Sequence, residues 1–115
     1  MSINIRKFPV SYVYKENIEE IRTLYPGKRE FRVSPYEYDA GRKLSGSSEN
    51  CLCFIISGSC ELTFSNTEPV VVKRGDVFEW PSGRYWVETG DSAGVKYVNV
   101  WNLKEIIERR AKNTQ

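Results

Sequence analysis

The sequence predicts a mainly β protein, a single small barrel or sandwich with a short helix near each end. Three features predict this class. Short runs rich in β-branched and aromatic residues fill the middle of the chain, and turn residues interrupt them every eight to ten positions. Helical spacing of apolar residues is confined to the two ends. Because the chain has 115 residues, 40% of them hydrophobic, we expect one domain over residues 1–115.

The first helix is predicted over residues 17–25. Asn17 suits the N-cap position, and Glu20 three residues later completes a capping box. Pro26 and Gly27 end the helix, because proline cannot continue it and glycine favours the turn that follows. The apolar side chains fall on one face and are Ile18, Ile21, Leu24 and Tyr25. The pattern indicates a short amphipathic helix.

The barrel core is predicted over about residues 28–102. In this part of the chain the apolar period shortens from that of a helix to that of a strand. Glycine, proline, asparagine and aspartate mark the turns, which are predicted at residues 39–41, 57–58, 66–67, 74–76, 81–83 and 89–91. Turns at such regular intervals are typical of a barrel or a sandwich.

A second helix is predicted over about residues 103–112. Asn102 suits its N-cap, and Glu105 follows three residues later. The apolar side chains recur along one side and are Leu103, Ile106, Ile107 and Ala111. We interpret the basic residues near its end, Arg109, Arg110 and Lys112, as a solvated face. This amphipathic helix should dock on the barrel.

Composition and charge exclude several classes of function. The chain carries 17 Lys and Arg against 15 Asp and Glu, and a scattered net charge of +2 does not support a nucleic-acid surface. No apolar run approaches the ~18 to 20 residues of a membrane span, and the first ten residues form no signal-peptide core. We therefore expect a cytoplasmic protein with neither a nucleic acid nor a membrane as its partner.

The centre of the chain is predicted to be a β-hairpin with residues 57–58 as its two-residue turn. That register places Ile55 opposite Cys60 and Cys53 opposite Leu62, and opposed residues share a face. One face then carries Cys51, Cys53, Ile55, Cys60, Leu62 and Phe64, and the other carries Leu52, Phe54 and Ile56. Because the first strand is apolar on both faces, it needs two covers. We expect the barrel interior to cover one face, and a helix or the second subunit of a homodimer to cover the other.

Residues 75–83, with the sequence GDVFEWPSG, resemble the second conserved motif of the cupin superfamily, in which a glycine-led turn and strand run into a Pro-x-Gly turn. Residues 51–58, CLCFIISG, resemble the end of its first motif. The similarity covers roughly residues 41–102. It implies a cupin-type double-stranded β-helix, the RmlC-like jelly-roll barrel, here with a short N-terminal helix and a C-terminal amphipathic helix.

The same resemblance implies where a metal would bind in such a protein. The first motif of the superfamily supplies two histidines and a glutamate, and the second supplies a third histidine. Those positions fall near Ser45 and Ser47, or one residue earlier, and at Cys51 and Trp86. The chain contains no histidine, and an indole both removes a donor and fills space. We therefore expect a divergent cupin with no metal and no other cofactor.

The cysteines Cys51, Cys53 and Cys60 form an odd set within ten positions, unlike a secreted disulfide framework. In the predicted hairpin Cys53 and Cys60 are diagonal neighbours, too far apart to share a tetrahedral zinc ion. We expect reduced, buried structural thiols.

Trp86 is the candidate site residue that we single out, because the resemblance places it where such barrels point a ligand inwards. It either plugs the cavity or forms a wall on which a ligand stacks. The other candidate ligand-binding residues are Tyr85, Trp80, Cys51, Ser47, Glu49, Tyr97 and Trp101. Aromatic rings stack on flat or sugar-like ligands, and plain core filling is the alternative for most of them. Glu49 and Glu79 are either buried carboxylates with raised pKa values or outward-facing charges.

Three hypotheses for the function follow. The first is a non-catalytic protein that encloses a small organic ligand in the barrel mouth, similar to the sensor halves of arabinose-type regulators. The second is a protein that covers another protein, such as a toxin-neutralising immunity protein, using exposed aromatics such as Tyr36 and Tyr38. The third is a metal-independent sugar-nucleotide isomerase or epimerase. The absent histidine argues against this third activity, and we assign no catalytic residue.

Overall fold

The computed structural model describes residues 3–8, 14–27, 30–65 and 67–113. The predictions made for Lys28, for Asn66 and for parts of the first ten residues lie outside these ranges. Within them the elements are β1 Arg6–Lys7, α1 Tyr14–Leu24, β2 Phe31–Tyr38, β3 Lys43–Ser48, β4 Cys51–Phe64, β5 Val70–Lys73, β6 Asp76–Trp80, β7 Gly83–Glu88, β8 Val95–Asn102 and α2 Leu103–Asn113. The predicted mainly β class with one helix near each end is confirmed. Neither of the helices described here has both the length and the apolar character to cross a membrane.

The strands form two antiparallel sheets that share β4. The first sheet has the order β1-β6-β4-β8-β2, and the second has the order β5-β4-β7-β3. The first half of β4 pairs with β6 and β8, whereas its second half pairs with β5 and β7. Two sheets joined through one long strand make the predicted jelly-roll barrel.

The predicted hairpin at residues 57–58 is wrong, because β4 runs through this point as one strand. A β-bulge lies between Ile55 and Ser57, and Gly58 follows it with a φ of 73°. Each half of the strand finds partners in a different sheet, so the two halves do not need to fold back on each other. The bulge shifts the alternation by one residue. Consequently Ile55 and Cys60 still face the same side, as predicted.

The predicted faces of β4 separate the two apolar clusters of the protein. The inward cluster, which we call the barrel core, contains Cys51, Cys53, Ile55, Cys60, Leu62, Phe64, Val72, Phe78, Trp80, Val87, Val95 and Tyr97. The outward cluster combines Phe54 and Ile56 with Val98 and Val100 of β8, and Ile21 of α1 packs on it. The second cover is therefore a helix of the same chain.

The N-terminal helix begins earlier than predicted, at Tyr14, and ends at Leu24. Asn17, predicted as the N-cap, instead lies in the first turn and is buried. The helix then closes with a hydrogen bond from the Tyr25 N–H to the Ile21 carbonyl, 3.1 Å long. The predicted amphipathic character is confirmed, since the buried Ile21 faces the first sheet.

The C-terminal helix begins at Leu103, as predicted, and contacts β2 and β8. The side-chain oxygen of Asn102 accepts a hydrogen bond of 3.1 Å from the Glu105 N–H, which confirms the cap. Ile106 is buried, whereas Ile107, predicted on the packed side, is 66% exposed. Adjacent helical residues point about 100° apart, so only one of the two isoleucines can face the barrel.

Candidate functional site

The aromatic residues of β2, β7 and β8 converge on the inward side of the barrel. β2 pairs with β8 so that Tyr36 lies opposite Tyr97, and opposed residues point to the same side of a sheet. Four half-buried rings, which we call the aromatic mouth, pack against the barrel core, and they are Tyr36, Tyr38, Tyr85 and Trp101. The prediction that Tyr36 and Tyr38 are exposed surface aromatics is therefore wrong.

Trp80 and Tyr97 form the floor beneath the aromatic mouth. Trp80 is 1% exposed and Tyr97 is 3% exposed. Their ring centroids lie 5.7 Å apart, Tyr36 stacks on Tyr97 at 5.3 Å, and Tyr85 meets Trp80 edge-on at 5.0 Å. These contacts fill the barrel at this level with aromatic rings.

Trp86 does not point into the barrel, and the prediction that it does is wrong. Its side chain is 43% exposed, and its cross-strand partners are Ser45 and Thr63. The guanidinium of Arg84 lies 5.5 Å from its ring centroid on this outer side. Strand β7 alternates, so its inward residue is Tyr85 instead. Trp86 is neither a plug nor an inner wall.

Ser47 also faces outwards, opposite Arg84. The inward residues of β3 are Leu44 and Gly46. They match the alternative in which the two histidine positions of the first cupin motif fall one residue before Ser45 and Ser47. Ser47 is therefore not part of the mouth, and its prediction as an inward site residue is wrong because it lies one residue out of phase.

Neither of the two candidate glutamates is a buried, unpaired carboxylate. Glu49 lies half-buried in the short link between β3 and β4, and its carboxylate pairs with the guanidinium of Arg110 in α2 at 3.1 Å. Glu79 is exposed, so the outward-facing alternative is confirmed for it. Glu49 therefore connects the rim of the barrel to α2.

Gly46 makes room for the phenol of Tyr85. The two residues are opposite each other in the β3–β7 pair. A Cβ added to Gly46 would lie 2.6 Å from the Tyr85 hydroxyl oxygen and 2.9 Å from Cζ of the ring. A larger residue at position 46 would thus push the ring away, and the glycine sets the position of this side of the mouth.

The phenols of the mouth and its floor are neighbours that influence one another. Burial raises the pKa of Tyr36, and the nearby Arg32 partly offsets that rise. Tyr38 and Tyr85 raise the same pKa further. Burial likewise raises the pKa of Tyr85 and, strongly, that of Tyr97, which shares a side-chain hydrogen bond with Tyr38. The hydroxyls of Tyr36, Tyr85 and Tyr97 are therefore protonated donors at neutral pH.

Arg32 brings a positive charge to the inward side of β2. It lies opposite Trp101, and its guanidinium carbon lies 5.5 Å from the Trp101 ring centroid. Its Nε donates a hydrogen bond of 3.2 Å to Ser34 Oγ. Within the described residues Arg32 forms no ion pair with a carboxylate. The mouth therefore holds a cation without an acidic partner from the described chain.

Three buried polar atoms have no hydrogen-bond partner among residues 3–8, 14–27, 30–65 and 67–113. One is Nε of Arg109 in α2, and the other two lie in the barrel: Nε1 of Trp80, a donor, and Oδ1 of Asn99, an acceptor. Asn99 is 4% exposed and lies opposite Ser34 on the inward side of the β2–β8 pair. Buried polar groups in folded proteins are normally paired with protein groups or ordered water, so these two atoms of the barrel are open to a further hydrogen bond.

Several solved structures are similar to this chain over most of its barrel. A double-stranded β-helix protein of the RmlC-like cupin family from Methanocaldococcus jannaschii is 14% identical, with a TM-score of 0.59, over 91% of this chain and 85% of that chain. A DUF861-family protein from Thermotoga maritima is 17% identical, with a TM-score of 0.56, over 87% of this chain and 100% of that chain. The chain adopts the cupin fold. The DMSP lyase DddQ from Ruegeria pomeroyi is also similar, at 17% identity and a TM-score of 0.56, over 64% of this chain, which spans 39% of the lyase.

No family model matches the sequence, and no curated protein sequence matches it either. The cupin fold is therefore shared at the level of architecture, while the sequence has diverged.

The residues at the cupin metal positions do not fit a divalent metal ion. The inward residues there are Leu44, Gly46, Cys51 and Tyr85, which provide a hydrocarbon, no side chain, a thiol and a phenol. Of these four, only the Cys51 sulfur is an ordinary metal ligand, and a single thiol does not complete a tetrahedral or octahedral site. In the described part of the chain no group of three or more His, Cys, Asp or Glu residues is arranged to hold a metal ion.

All three cysteines are free and buried, as expected. The predicted distance between Cys53 and Cys60 was derived from a hairpin that the structure does not contain. Instead, Cys53 lies opposite Phe78 and Cys60 lies opposite Val72. Burial raises the pKa of Cys60 to about 12 and that of Cys53 well above its ordinary value. The thiols behave as small apolar side chains of the core.

Two of the clefts in the described part of the chain exceed 600 Å³, and neither is lined by a ring of the aromatic mouth. One, of about 670 Å³, is lined by Ile3, Asn4, Arg6, Tyr25, Phe31, Asn50, Cys51, Leu52, Glu79, Pro81, Val100, Asn102 and Glu105. The other, of about 710 Å³, lies where the end of α1 meets β2 and the start of α2, and it is lined by Arg22, Tyr25, Pro26, Gly27, Phe31, Arg32, Val33 and Leu103. The first cleft contains the candidate Cys51, and the second is lined on one side by Arg32, the cation beside Trp101.

The sequence interpretation missed the contribution of β2 to the mouth. Every second residue from Arg32 to Tyr38 faces inwards, and each of these four side chains is polar or phenolic. The pairing that brings Arg32 next to Trp101 joins residues 69 positions apart, and no local pattern reports it.

Proposed function

We propose that this protein binds a small organic molecule at the aromatic mouth of its cupin barrel and does not transform it. The observation that carries the proposal is the convergence of three phenols, one indole and one guanidinium without an acidic partner on a single inward surface. Such a surface offers stacking faces and several hydrogen-bond donors. Ligand sites commonly combine apolar walls with a few convergent polar groups in this way.

The absence of a tuned acid or base supports binding over catalysis. A general acid or base works best when its pKa lies near the working pH. Burial instead moves the pKa values of Cys51, Tyr85 and Tyr97 upwards, away from neutrality. The carboxylate of Asp76, the one buried among the described residues, accepts hydrogen bonds from Lys7 Nζ and from the Lys73 N–H. We therefore assign neither a sugar-nucleotide isomerase activity nor any other reaction to the barrel, and we propose that it works without a metal.

Binding of a protein partner is the second candidate function, and a specific observation favours it. Leu24 of α1 and Ile107 of α2 are 64% and 66% exposed, and the cleft of about 710 Å³ lies beside α1 and α2. Exposed apolar side chains next to a groove are typical of protein-binding surfaces. An immunity protein would use such a surface. The outer face of the first sheet gives no reason for a homodimer, because α1 covers it.

A thermal-shift screen of small organic molecules tests the first proposal. A ligand present at a hundred times its dissociation constant should add about 2.7 kcal/mol of stability. We expect the shift to disappear in Tyr36→Leu, which loses the stacking ring, and to persist in Trp86→Leu. The second variant is the matched control, because it removes an aromatic ring from the outer face of the same barrel.

Two results would count against small-molecule binding. One is the absence of any shift across neutral, acidic and basic compounds, combined with a stoichiometric protein partner recovered from cell extract. The other is an equal loss of ligand binding in Tyr36→Leu and Trp86→Leu, which would move the site away from the mouth.

A further inference from the structure

The charge at the mouth restricts the class of ligand that the barrel accepts. We infer that the ligand is a small planar organic acid whose carboxylate pairs with Arg32, an inference that rests on the proposed small-molecule function. Arg32 provides the charge, Trp101 and Tyr36 provide the stacking faces, and the floor provides polar partners for the far end of the molecule.

The geometry of Arg32 leaves its charge free for a ligand. Its Nε is engaged by Ser34 Oγ at 3.2 Å, which orients the guanidinium over the Trp101 ring at 5.5 Å. Its two terminal nitrogens have no hydrogen-bond partner in the described part of the chain. Two parallel N–H groups match the two oxygens of a carboxylate, and this bidentate pairing is the strongest form of such a contact.

The position of Arg32 distinguishes it from the other cations near the strands. Four of those cations pair with described carboxylates: Lys7 with Asp76, Lys43 with Glu88, Lys96 with Glu37, and Arg110 with Glu49. Arg84, which like Arg32 has no such pair in the described part of the chain, lies on the outer face beside Trp86. The rim carboxylate of Glu49 is thereby engaged by α2. An incoming anion would meet the attraction of Arg32, and within the described strands no unpaired carboxylate of the inward faces would oppose it. The effect of Arg32 on the pKa of Tyr36 shows that its field reaches the mouth.

The polar atoms behind Arg32 continue in a line across the two strands. Ser34 follows Arg32 on the inward side of β2, and Asn99 lies opposite Ser34 on β8. The Asn99 Oδ1 atom is buried and without a partner among the described residues. A planar acid that carries a hydroxyl or amino group away from its carboxylate would satisfy Arg32 at the rim and Asn99 behind it.

Three probes of nearly equal shape test the inference: benzoate, neutral benzamide and cationic benzamidine, with binding followed by tryptophan fluorescence and by calorimetry. We expect the wild-type protein to bind benzoate at least 10-fold more tightly than benzamide and not to bind benzamidine. Arg32→Gln should reduce benzoate affinity at least 10-fold and leave benzamide unchanged. The matched control is Arg84→Gln, which removes a guanidinium at the same 5.5 Å distance from an indole on the outer face, and it should change neither affinity.

The outcomes separate this inference from the proposed function. Binding of benzamide or of neutral screen compounds without a preference for the anion would overturn the inference and leave small-molecule binding standing. An equal effect of Arg32→Gln and Arg84→Gln would also overturn it, since general charge would then explain the affinity. If neither the three probes nor any compound of the broad screen binds, both the inference and the proposed function fail.

Discussion

At the scale of single residues, Trp80 and Trp86 show how strongly position within a strand decides the role of a side chain. Trp80 is 1% exposed and Trp86 is 43% exposed. The Trp80 ring contacts Phe64 at 5.3 Å and Phe78 at 6.3 Å between centroids, in addition to the two tyrosines of the mouth and floor. Stabilisation by apolar side chains follows the area removed from water, so Trp80 stabilises the core and Trp86 does not.

We predict that Trp80→Ala lowers the free energy of unfolding by about 3 to 5 kcal/mol, because it leaves a large cavity among aromatic rings. Trp86→Ala should lower it by less than about 1 kcal/mol, as expected for an exposed position. Urea denaturation followed by circular dichroism measures both. Should Trp80→Ala fail to fold, Trp80→Phe gives the same order with a smaller loss. A larger loss for Trp86 than for Trp80 would contradict the orientation of β6 and β7.

At the scale of elements, the bulge in β4 is what allows one strand to serve two sheets. Gly58 sits at this point with a φ of 73°, a conformation that L side chains rarely adopt. A Cβ added to Gly58 would overlap the Gly94 carbonyl oxygen, the group that accepts a hydrogen bond from the Ser59 N–H. The crossing from one sheet to the other therefore depends on a glycine for two separate reasons.

Gly41 provides a matched control for this position. It has the same φ of 73°, and an added Cβ meets nothing within 4 Å. We predict that Gly41→Ala costs about 1 to 2 kcal/mol of stability from backbone strain alone. Gly58→Ala should cost about 1 to 3 kcal/mol more, because the Gly94 carbonyl must also move. Equal losses in a urea titration would show that backbone strain alone explains the effect at the bulge.

At the scale of the whole molecule, burial in the barrel disfavours ionisation of its thiols and phenols. Burial raises the pKa values of all three thiols and of Tyr36, Tyr85 and Tyr97. When the pKa of a group is higher in the folded than in the unfolded state, stability is fully present below the unfolded-state pKa, where both states hold the proton. Between the two pKa values only the unfolded state releases the proton, which stabilises the unfolded state, so the free energy of unfolding falls as the pH rises. The fold should therefore tolerate neutral and mildly alkaline solution and lose stability above it.

We predict that the free energy of unfolding falls as the pH rises from about 9, the ordinary thiol pKa, towards the value of about 12 for Cys51 and Cys60. Each thiol contributes a slope of at most about 1.4 kcal/mol per pH unit in that window. Chemical denaturation at a series of pH values measures the slope. The double variant Cys51→Ala/Cys60→Ala is the control and should show a shallower decline, whatever its stability at pH 7. An unchanged slope would mean that the thiols ionise in the folded protein.

Part of the site was predictable because some of its signals are local. The inward positions of Cys51, Trp80, Tyr85, Tyr97 and Trp101 agree with the sequence-based candidates, since each lies in a strand whose alternation is visible. Alternation along a strand does not show which of the two sets of alternate residues faces the core when both sets contain aromatic residues. For β7 the resemblance to cupins favoured Trp86, the neighbour of Tyr85. The prediction was wrong by one residue, and a shift of one residue moves a side chain to the opposite face of the strand.

The sequence by itself determined the mainly β class, the two terminal helices, the two apolar faces of β4 and the loss of imidazole at the metal positions. These depend on residue identity and on periods of a few residues. Only the tertiary structure decided that β4 continues through Gly58, that Tyr85 rather than Trp86 enters the barrel, and that Arg32 lies over Trp101. Each of these depends on pairing between distant strands, and the competition among possible strand partners is settled by packing of the whole barrel rather than by local preference.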